Sequence, residues 1–327
     1  MNHSGHESLQ PFKFELNLKN VLWGGDKIAA LKGVPLGSSH VGESWEVSGL
    51  PGRESVVAAG DDMGKNLREL IDEYRGRLVG GRVYRRYGNE FPLLVKFIDA
   101  KKDLSVQVHP DEKLARRRHN CSGKAEMWFI INADEDASLV AGLHKSITRK
   151  DFLTHVKEGT LLDVLERHAT HRGDCFFLPA GRIHSIGAGN LLCEVQQASD
   201  ITYRVYDYNR RDANGELRQL HTALAAGAID YSVKDDVRCH YTPVPHGSVT
   251  LLDNEYFHVS LVNVDGHHLD VAMPDDAFLI LTCLQGRGEV LADGHATPLH
   301  AGESVLVPAC TTALALRGRM QLLTSTV

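Results

Sequence analysis

The 327-residue chain carries 36 Lys and Arg residues against 42 Asp and Glu residues, a formal net charge of −6, and 43% of its residues are hydrophobic. This composition excludes an intrinsically disordered chain and predicts a globular protein of about two domains. The mildly acidic balance and the absence of a long basic stretch argue against the basic surface that nucleic acid or an anionic membrane requires, and the basic run 116–118 is predicted to be a solvated loop.

The beginning of the chain and its cysteines indicate a cytoplasmic location. The segment MNHSGHESLQPFKF lacks the apolar core of a signal peptide, and no apolar run approaches the roughly 20 residues of a membrane span. The six cysteines are scattered without a C-x-x-C pair, which favours reduced thiols over a disulfide framework. We therefore expect a cytoplasmic protein without a membrane partner.

Short apolar runs separated by Gly, Asn, Asp and Pro predict a mainly β protein. These runs are residues 45–50, 92–98, 104–109, 127–131, 175–179, 190–197 and 203–208. Helices are predicted at about 60–80, where apolar residues recur at helical spacing behind Asn66, and at about 148–168, where Thr148-x-x-Asp151 is a capping pattern. Both helical segments are expected to cover the sheets with an apolar face.

One β unit occurs twice in the chain. GDCFFLPAGRIHSI begins at Gly173, GESVLVPACTTALA begins at Gly302, and both read G-acidic-x4-P-A. His184 of the first copy aligns with Ala313 of the second, so a metal bound through His184 would have no counterpart in the second copy. The predicted domains are residues 1–238, which include the helical segments, and residues 239–327, which lack metal ligands.

The first copy matches a motif of the cupin family. The motif G-x5-P-x-G-x2-H fits every fixed position from Gly173 to His184. The other cupin motif begins H-x-H and continues to a Glu; Gln107-Val108-His109 stands in its place, and Glu126 follows after an insertion. This resemblance implies a mainly β fold of two cupin-type jelly rolls, the first elaborated by short helical segments.

Four side chains in these motifs are candidates to bind a divalent metal ion. Gln107 and His109 lie two residues apart and project from the same face of a strand. Glu126 begins a later predicted strand, and His184 follows a Pro-Gly turn. If these strands line one barrel, two imidazoles, a carboxylate and an amide oxygen converge. Such ligands fit a zinc isomerase and an iron or manganese oxygenase alike.

Polar groups close to these candidates favour an anionic substrate over an apolar one. They are Lys96, Ser105, Lys124 and Arg204. No Gly-rich segment precedes a helix in the way that a dinucleotide or P-loop site requires, so no nucleotide cofactor is predicted.

The chain resembles type I phosphomannose isomerases of the short bacterial form. The matching stretches are WGG at 23–25, GESWEVSG at 42–49, PLLVKFIDAKKDLSVQVHPDE at 92–112, GKAEMWFI at 123–130, the motif at 173–186 and EVQQASDITYRVYDYNR at 194–210. The resemblance implies reversible interconversion of D-mannose 6-phosphate and D-fructose 6-phosphate through an enediol, with one zinc ion per chain.

The resemblance also implies roles for individual residues. The zinc ligands would be Gln107, His109, Glu126 and His184. Arg204 matches the arginine regarded as catalytic, and Lys96 and Ser105 match positions associated with the substrate phosphate. Lys124, beside the metal-binding glutamate, and Glu194 are candidates for proton transfer.

Two other functions remain open on the sequence. One is a metal-dependent cupin oxygenase or epimerase with the same ligands, which an apolar pocket would favour. The other is a non-enzymatic sugar-phosphate-binding cupin, which a missing ligand would favour. The expected partner is a small phosphosugar, and a monomer or small homo-oligomer is expected.

Overall fold

The computed structural model describes residues 9–35, 40–211, 214–234 and 236–327. Its helices are α1 Lys27–Lys32, α2 Leu67–Tyr74, α3 Gly76–Val79, α4 Gly81–Tyr87, α5 Glu112–His119, α6 Arg149–Glu158 and α7 Thr222–Ala225, with a 3₁₀ helix at Leu161–Val164. Its strands are β1 Leu18–Gly25, β2 Val41–Ser48, β3 Leu93–Ala100, β4 Val106–Val108, β5 Glu126–Ala133, β6 Ser138–Leu143, β7 Leu165–Ala169, β8 Cys175–Leu178, β9 His184–Ile186, β10 Asn190–Gln197, β11 Tyr203–Tyr206, β12 Gly247–Asp253, β13 His258–Asp265, β14 Leu269–Asp270, β15 Leu279–Ala292, β16 His295–His300, β17 Ser304–Val307 and β18 Leu314–Thr326.

The predicted mainly β fold is confirmed. The first sheet has the strand order β1-β2-β3-β10-β5-β8, and the second has the order β11-β4-β9-β6-β7. The third has the order β12-β13-β18-β15-β16, with β14 paired to β18 and β17 paired to β15. No helix among the described residues is long and apolar enough to cross a membrane.

The described chain divides into two compact units, each built from separate stretches. One unit comprises Leu18–Trp45 and Leu94–His240, and the other comprises the described residues up to Asn17, Glu46–Leu93 and Tyr241–Val327. The structure thus differs from the contiguous domains 1–238 and 239–327, because it places the first helical segment with the C-terminal residues. Backbone hydrogen bonds within that unit explain the grouping, since the Ala309 amide donates to Leu78 O at 2.8 Å.

Both predicted helical segments form, with different bounds. Asn66 and Thr148 cap α2 and α6 through reciprocal hydrogen bonds with the third residue of each helix. The first segment continues as α3 and α4 beyond Tyr74, and the second ends early, because residues from Leu165 form strand β7. The basic run 116–118 is exposed as predicted but lies in α5, so its assignment as a loop is wrong.

The predicted repeat has the same backbone hydrogen bonds in both copies. Gly173 N donates to Ile130 O on β5, and Gly302 N donates to Cys283 O on β15. Both glycines have positive φ, 90° and 82°, a conformation that favours glycine in the turn before each strand. The two copies are therefore equivalent β units.

The first two sheets pack face to face around a shared core in the unit that contains both. Trp128 and Phe176 of the first sheet belong to one buried cluster with Leu139 and Ile186 of the second. The opposite face of the second sheet is covered by α6 and α7, against which Val106 and Val108 pack. Because side chains alternate along a strand, Gln107, which lies between these two valines on β4, points between the two sheets.

Candidate active site

Three buried side chains meet between the first two sheets. His109, Glu126 and His184 are each about 1% exposed, and their ligand atoms all lie within 4.8 Å of one another. His109 Nε2 lies 3.3 Å from Glu126 Oε1, and His184 Nε2 lies 3.4 Å from Glu126 Oε2. No other group of three His, Cys, Asp or Glu side chains with such spacing occurs in the described part of the chain.

Backbone carbonyls orient both imidazole rings towards this centre. His109 Nδ1 donates to Ile201 O at 2.8 Å, and His184 Nδ1 donates to Arg182 O at 2.8 Å. Since a carbonyl oxygen only accepts, both rings carry their proton on Nδ1 and present the Nε2 lone pair to Glu126. His109 Nε2 and Glu126 Oε2 are buried without a hydrogen-bond partner, and such atoms with unused lone pairs fit a bound cation.

The electrostatics hold these three side chains in the protonation states that a metal ion requires. Burial lowers the pKa of His184 to about 3 and also lowers the pKa of His109. Burial alone would raise the pKa of Glu126, but opposing interactions, of which the charge of Lys124 is the largest, hold that pKa well below its usual value. Two neutral imidazoles and a carboxylate are a donor set that zinc and similar divalent ions accept.

Gln107 lies beside the group of three buried side chains, in the middle of a row of residues across the second sheet. It is paired with His184 on one side and with Arg204 on the other. Its amide presents nitrogen to the ring, with Gln107 Nε2 3.3 Å from His184 Nε2. A metal ligand would need the amide oxygen there, which a half turn of the amide group provides. Its role as fourth ligand stays a prediction.

Glu194 is buried and fixed from two sides. Lys96 Nζ lies 2.9 Å from Glu194 Oε1, and the Trp128 indole N–H donates to Glu194 Oε2 at 2.7 Å. Burial and the nearby Glu126 carboxylate raise the pKa of Glu194. Burial would lower the pKa of Lys96, but Glu194 and other carboxylates outweigh it and raise that pKa. The ammonium charge of Lys96 is therefore matched by Glu194.

Arg204 lies in a cluster with two other arginines, and those two share one carboxylate. Arg218 donates to Asp207 through Nε at 2.7 Å and Nη2 at 2.8 Å, and Arg210 also pairs with Asp207. Arg204 Nη1 donates to Gln219 O at 3.1 Å, and its Nε is buried without a partner. Burial and then the charge of Arg218 lower the pKa of Arg204. The cluster therefore carries an excess of positive charge.

A cavity of about 180 Å³ joins these groups. The predicted site residues that line it are Lys96, Ser105, Gln107, Lys124, Glu126, Glu194 and Arg204. Its charged lining consists of four cations, Lys96, Lys124, Arg204 and Arg218, and four carboxylates, Glu43, Glu126, Glu194 and Asp200. Four carboxylates balance four cations, so a bound divalent cation would make the lining positive and suited to an anionic ligand.

Three further lining residues have no role predicted from the sequence. Glu43 and Asp200 lie within the matching stretches 42–49 and 194–210, whereas Arg218 lies outside every such stretch and is indistinguishable from a surface arginine until its place against Asp207 is known. The polar character of the cavity does not favour an oxygenase with an apolar substrate. None of the four predicted metal ligands is missing, which does not favour a non-enzymatic binding protein.

Two family models match this chain. The phosphomannose isomerase type I catalytic domain matches residues 12–128, and the mannose-6-phosphate isomerase cupin domain matches residues 248–327. Among curated relatives, mannose-6-phosphate isomerase ManA of Bacillus subtilis (strain 168) is 35% identical over 91% of this chain and 93% of its own length. The mannose-6-phosphate isomerase of Streptococcus mutans is 30% identical over 97% of this chain and 98% of its own length.

Solved structures show the same similarity. The crystal structure of the mannose 6-phosphate isomerase from Bacillus subtilis matches with a TM-score of 0.89 at 33% sequence identity. The match covers 98% of this chain and 100% of that chain.

Proposed function

This chain belongs to the type I mannose-6-phosphate isomerase family, and on that premise we propose that it interconverts D-mannose 6-phosphate and D-fructose 6-phosphate with bound zinc. The family and the cupin-type fold predicted from the sequence are thereby confirmed. The observation that carries the proposal is the buried group of His109, Glu126 and His184 beside a cavity whose charged lining consists of four cations and four carboxylates. A cytoplasmic location and a monomer or small homo-oligomer stay predictions.

The proposed zinc ligands are His109, Glu126 and His184, with Gln107 as the fourth. Zinc supplies a Lewis acid that stabilises negative charge on a substrate oxygen. The chain's own contribution is to keep both rings neutral and the carboxylate ionised, which the pKa shifts of His184 and Glu126 support. One ion per chain is expected, because this is the single group of its kind among the described residues.

The reaction removes a proton from the carbon next to a carbonyl and returns it to the neighbouring carbon, which builds negative charge on oxygen. We assign the base to Glu194, because a carboxylate whose pKa is raised by burial accepts a proton more readily than an exposed one. Its contacts with Lys96 and Trp128 fix the direction in which its oxygens point. Lys124 is proposed to transfer a proton from one substrate oxygen to the other.

Arg204 is proposed to stabilise the charge that develops on the reacting oxygens. Its Nε is buried without a partner, so a negatively charged oxygen would satisfy a donor that is otherwise unpaired. The same cavity accommodates the phosphate through Ser105 and Lys96, as the resemblance implies, and Arg218 adds a guanidinium to it. Because the Asp207 carboxylate pairs with Arg210 and Arg218 and leaves Arg204 unpaired, a phosphate dianion would offset the excess charge of that cluster.

The test is isomerisation of mannose 6-phosphate by the purified chain, with and without a chelator. Chelation is expected to abolish activity, and one equivalent of zinc is expected to restore it. His184→Gln is expected to lose both bound zinc and activity. The matched control is His168→Gln, since His168 lies on β7 outside the ligand group and bonds to Ala141 O. Activity that required Fe(II) and dioxygen, or that survived complete metal removal, would contradict the proposal.

A further inference from the structure

Two cysteines outside the candidate active site face each other across a short antiparallel pairing. Cys239 N donates to Cys175 O at 2.8 Å, and Phe177 N donates to Val237 O at 3.0 Å. This pattern places Cys175 on β8 directly opposite Cys239, with both side chains on the same side. The backbone bridge between Phe176 and Arg238, their neighbours in the chain, fixes the same register.

The backbone spacing of this pair suits a disulfide bond. A hydrogen-bonded antiparallel pair has its Cα atoms about 5.5 Å apart, within the roughly 4.4–6.8 Å range of disulfides. Both thiols are free in the structure. Closing the bond is therefore expected to need rotation of the two side chains and little movement of the strands.

The two thiols have different surroundings. Cys175 is buried, and the hydrogen bond that it donates to Cys239 raises its pKa well above the usual value, with burial adding to the shift. Cys239 is partly exposed, and accepting that hydrogen bond lowers its pKa. Oxidant-sensitive cysteines are accessible, readily ionised and next to a second thiol. Cys239 has these properties, and Cys175 is the second thiol.

We propose that Cys239 and Cys175 form a peroxide-sensitive pair that closes into an intramolecular disulfide. The Cys239 thiolate attacks one oxygen of hydrogen peroxide, the O–O bond breaks, and the departing hydroxide takes up a proton to become water. Cys239 is then a sulfenic acid. The Cys175 sulfur attacks the Cys239 sulfur, and the sulfenic hydroxyl leaves with the thiol proton as a second water. Peroxide thus accepts two electrons, and two thiols become one disulfide.

The disulfide would fasten a chain segment to the edge of the first sheet. β8 is the last strand of that sheet, and the segment around Val237 lies along it with Val237 buried in the core. Arg238 lies over the Phe176 ring at 5.0 Å. The loop closed between Cys175 and Cys239 contains His184, Glu194 and Arg204, so the cross-link would restrict the unfolded form of the chain that carries the site. Neither sulfur lines the cavity.

The experiment treats the reduced full-length chain with hydrogen peroxide, alkylates the remaining thiols and maps the peptides by mass spectrometry. We expect an intact mass lower by two hydrogens, a linked peptide pair that contains Cys175 and Cys239, reversal by dithiothreitol, and a melting temperature higher than that of the reduced chain. Isomerase activity is expected to persist, because the pair lies outside the cavity. This mapping uses the unaltered sequence and does not depend on how any variant folds.

Variants identify the thiols. Cys239→Ser, at the partly exposed position, is expected to abolish the linked peptide and the rise in melting temperature. Cys310→Ser, which alters another partly exposed cysteine, is expected to leave both unchanged. A disulfide that involves Cys121 or Cys310, a link between two chains, or sulfinic acid at Cys239 without a cross-link would overturn the proposal.

Discussion

At the scale of single residues, burial decides which charges the site can use. Lys96 carries a charge that Glu194 matches at 2.9 Å, and Lys124 lies 2.9 Å from Glu126. Arg204 has no carboxylate partner of its own among the described contacts, and its buried Nε is unpaired. Cationic side chains that look equivalent in the sequence therefore differ in whether their charge is already paired with a carboxylate or is available to a substrate.

Arg204→Ala is predicted to lower kcat by about a hundredfold or more, because removing one such electrostatic contact from a buried site typically costs that much. Steady-state kinetics and metal analysis of the same preparation provide the measurement. The zinc content is expected to stay near one per chain, since Arg204 is not a ligand. Activity close to that of the unaltered chain would remove Arg204 from the catalytic role.

Arg218→Ala is predicted to raise KM for mannose 6-phosphate about tenfold or more with a smaller change in kcat, because it removes a cation from the cavity and leaves the proposed base in place. Arg210→Ala is the matched control, since Arg210 also pairs with Asp207 but does not line the cavity. Equal effects of the two substitutions on KM would show that the arginine cluster acts only through Asp207.

At the scale of elements, alternation along short strands delivers the site residues. On β4, Val106 and Val108 pack under the covering helices, which turns Gln107 towards the first sheet. On β11, Tyr203 and Val205 belong to the same covered cluster, which turns Arg204 to the side of Gln107. This alternation of side chains every two residues can be predicted from the sequence. The sequence does not predict which strands lie next to each other in the sheet.

Helix α6 offers a test at this scale. Thr148→Ala is predicted to lower the free energy of unfolding by about 1 kcal/mol, because it removes the side chain that accepts the Asp151 amide hydrogen bond in the capping box. The measurement is denaturant unfolding. Thr154→Ala, an exposed threonine inside the same helix, is the control and should be neutral or slightly stabilising, since alanine favours helix. An equal loss in both variants would exclude a capping effect.

Helix α5 shows why one sequence-based interpretation is wrong. Its sequence EKLARRRH is so polar that only Leu114 and Ala115 are buried, so apolar periodicity is nearly absent. The element begins because the Asp111 side chain accepts the Leu114 amide hydrogen bond at 2.7 Å. A helix stabilised mainly by its cap and by exposed charges is easily taken for a solvated loop.

At the scale of the whole molecule, stability should depend on pH through the buried ligand histidines. In the unfolded chain His184 has an ordinary pKa near 6.5, whereas in the folded chain burial lowers it to about 3. Between these values the unfolded state binds more protons, so the free energy of unfolding of the metal-free protein falls as the pH drops through that range. One such group contributes at most about 1.4 kcal/mol per pH unit.

The measurement is chemical denaturation of the chelator-treated protein at several pH values above and below 6.5. His184→Asn removes the titrating ring, so its curve of unfolding free energy against pH should be shallower below pH 6.5, whatever its absolute stability. A slope identical to that of the unaltered chain would show that His184 is exposed to protonation in the folded state.

The grouping of separate stretches into units is also a property of the whole molecule. Residues 46–93 lie in the same unit as residues 241–327. The ring centroids of Phe91 and Phe278, one from each stretch, are 4.6 Å apart. No composition change or linker in the sequence indicates this partnership. Contacts between distant stretches decide it, and a pattern read along the chain reports only local neighbours.

The sequence by itself determined the β character, the repeat, the family and the candidate ligands, because strand alternation, turn glycines and motif spacing are local and need no knowledge of partners. Only the tertiary structure decided that Gln107, His184 and Arg204 share one row, that Lys96 is matched by Glu194, and that Arg218 lines the cavity. The physical reason is that charge pairing and burial depend on side chains far apart in the chain, which come together only when the sheets pack.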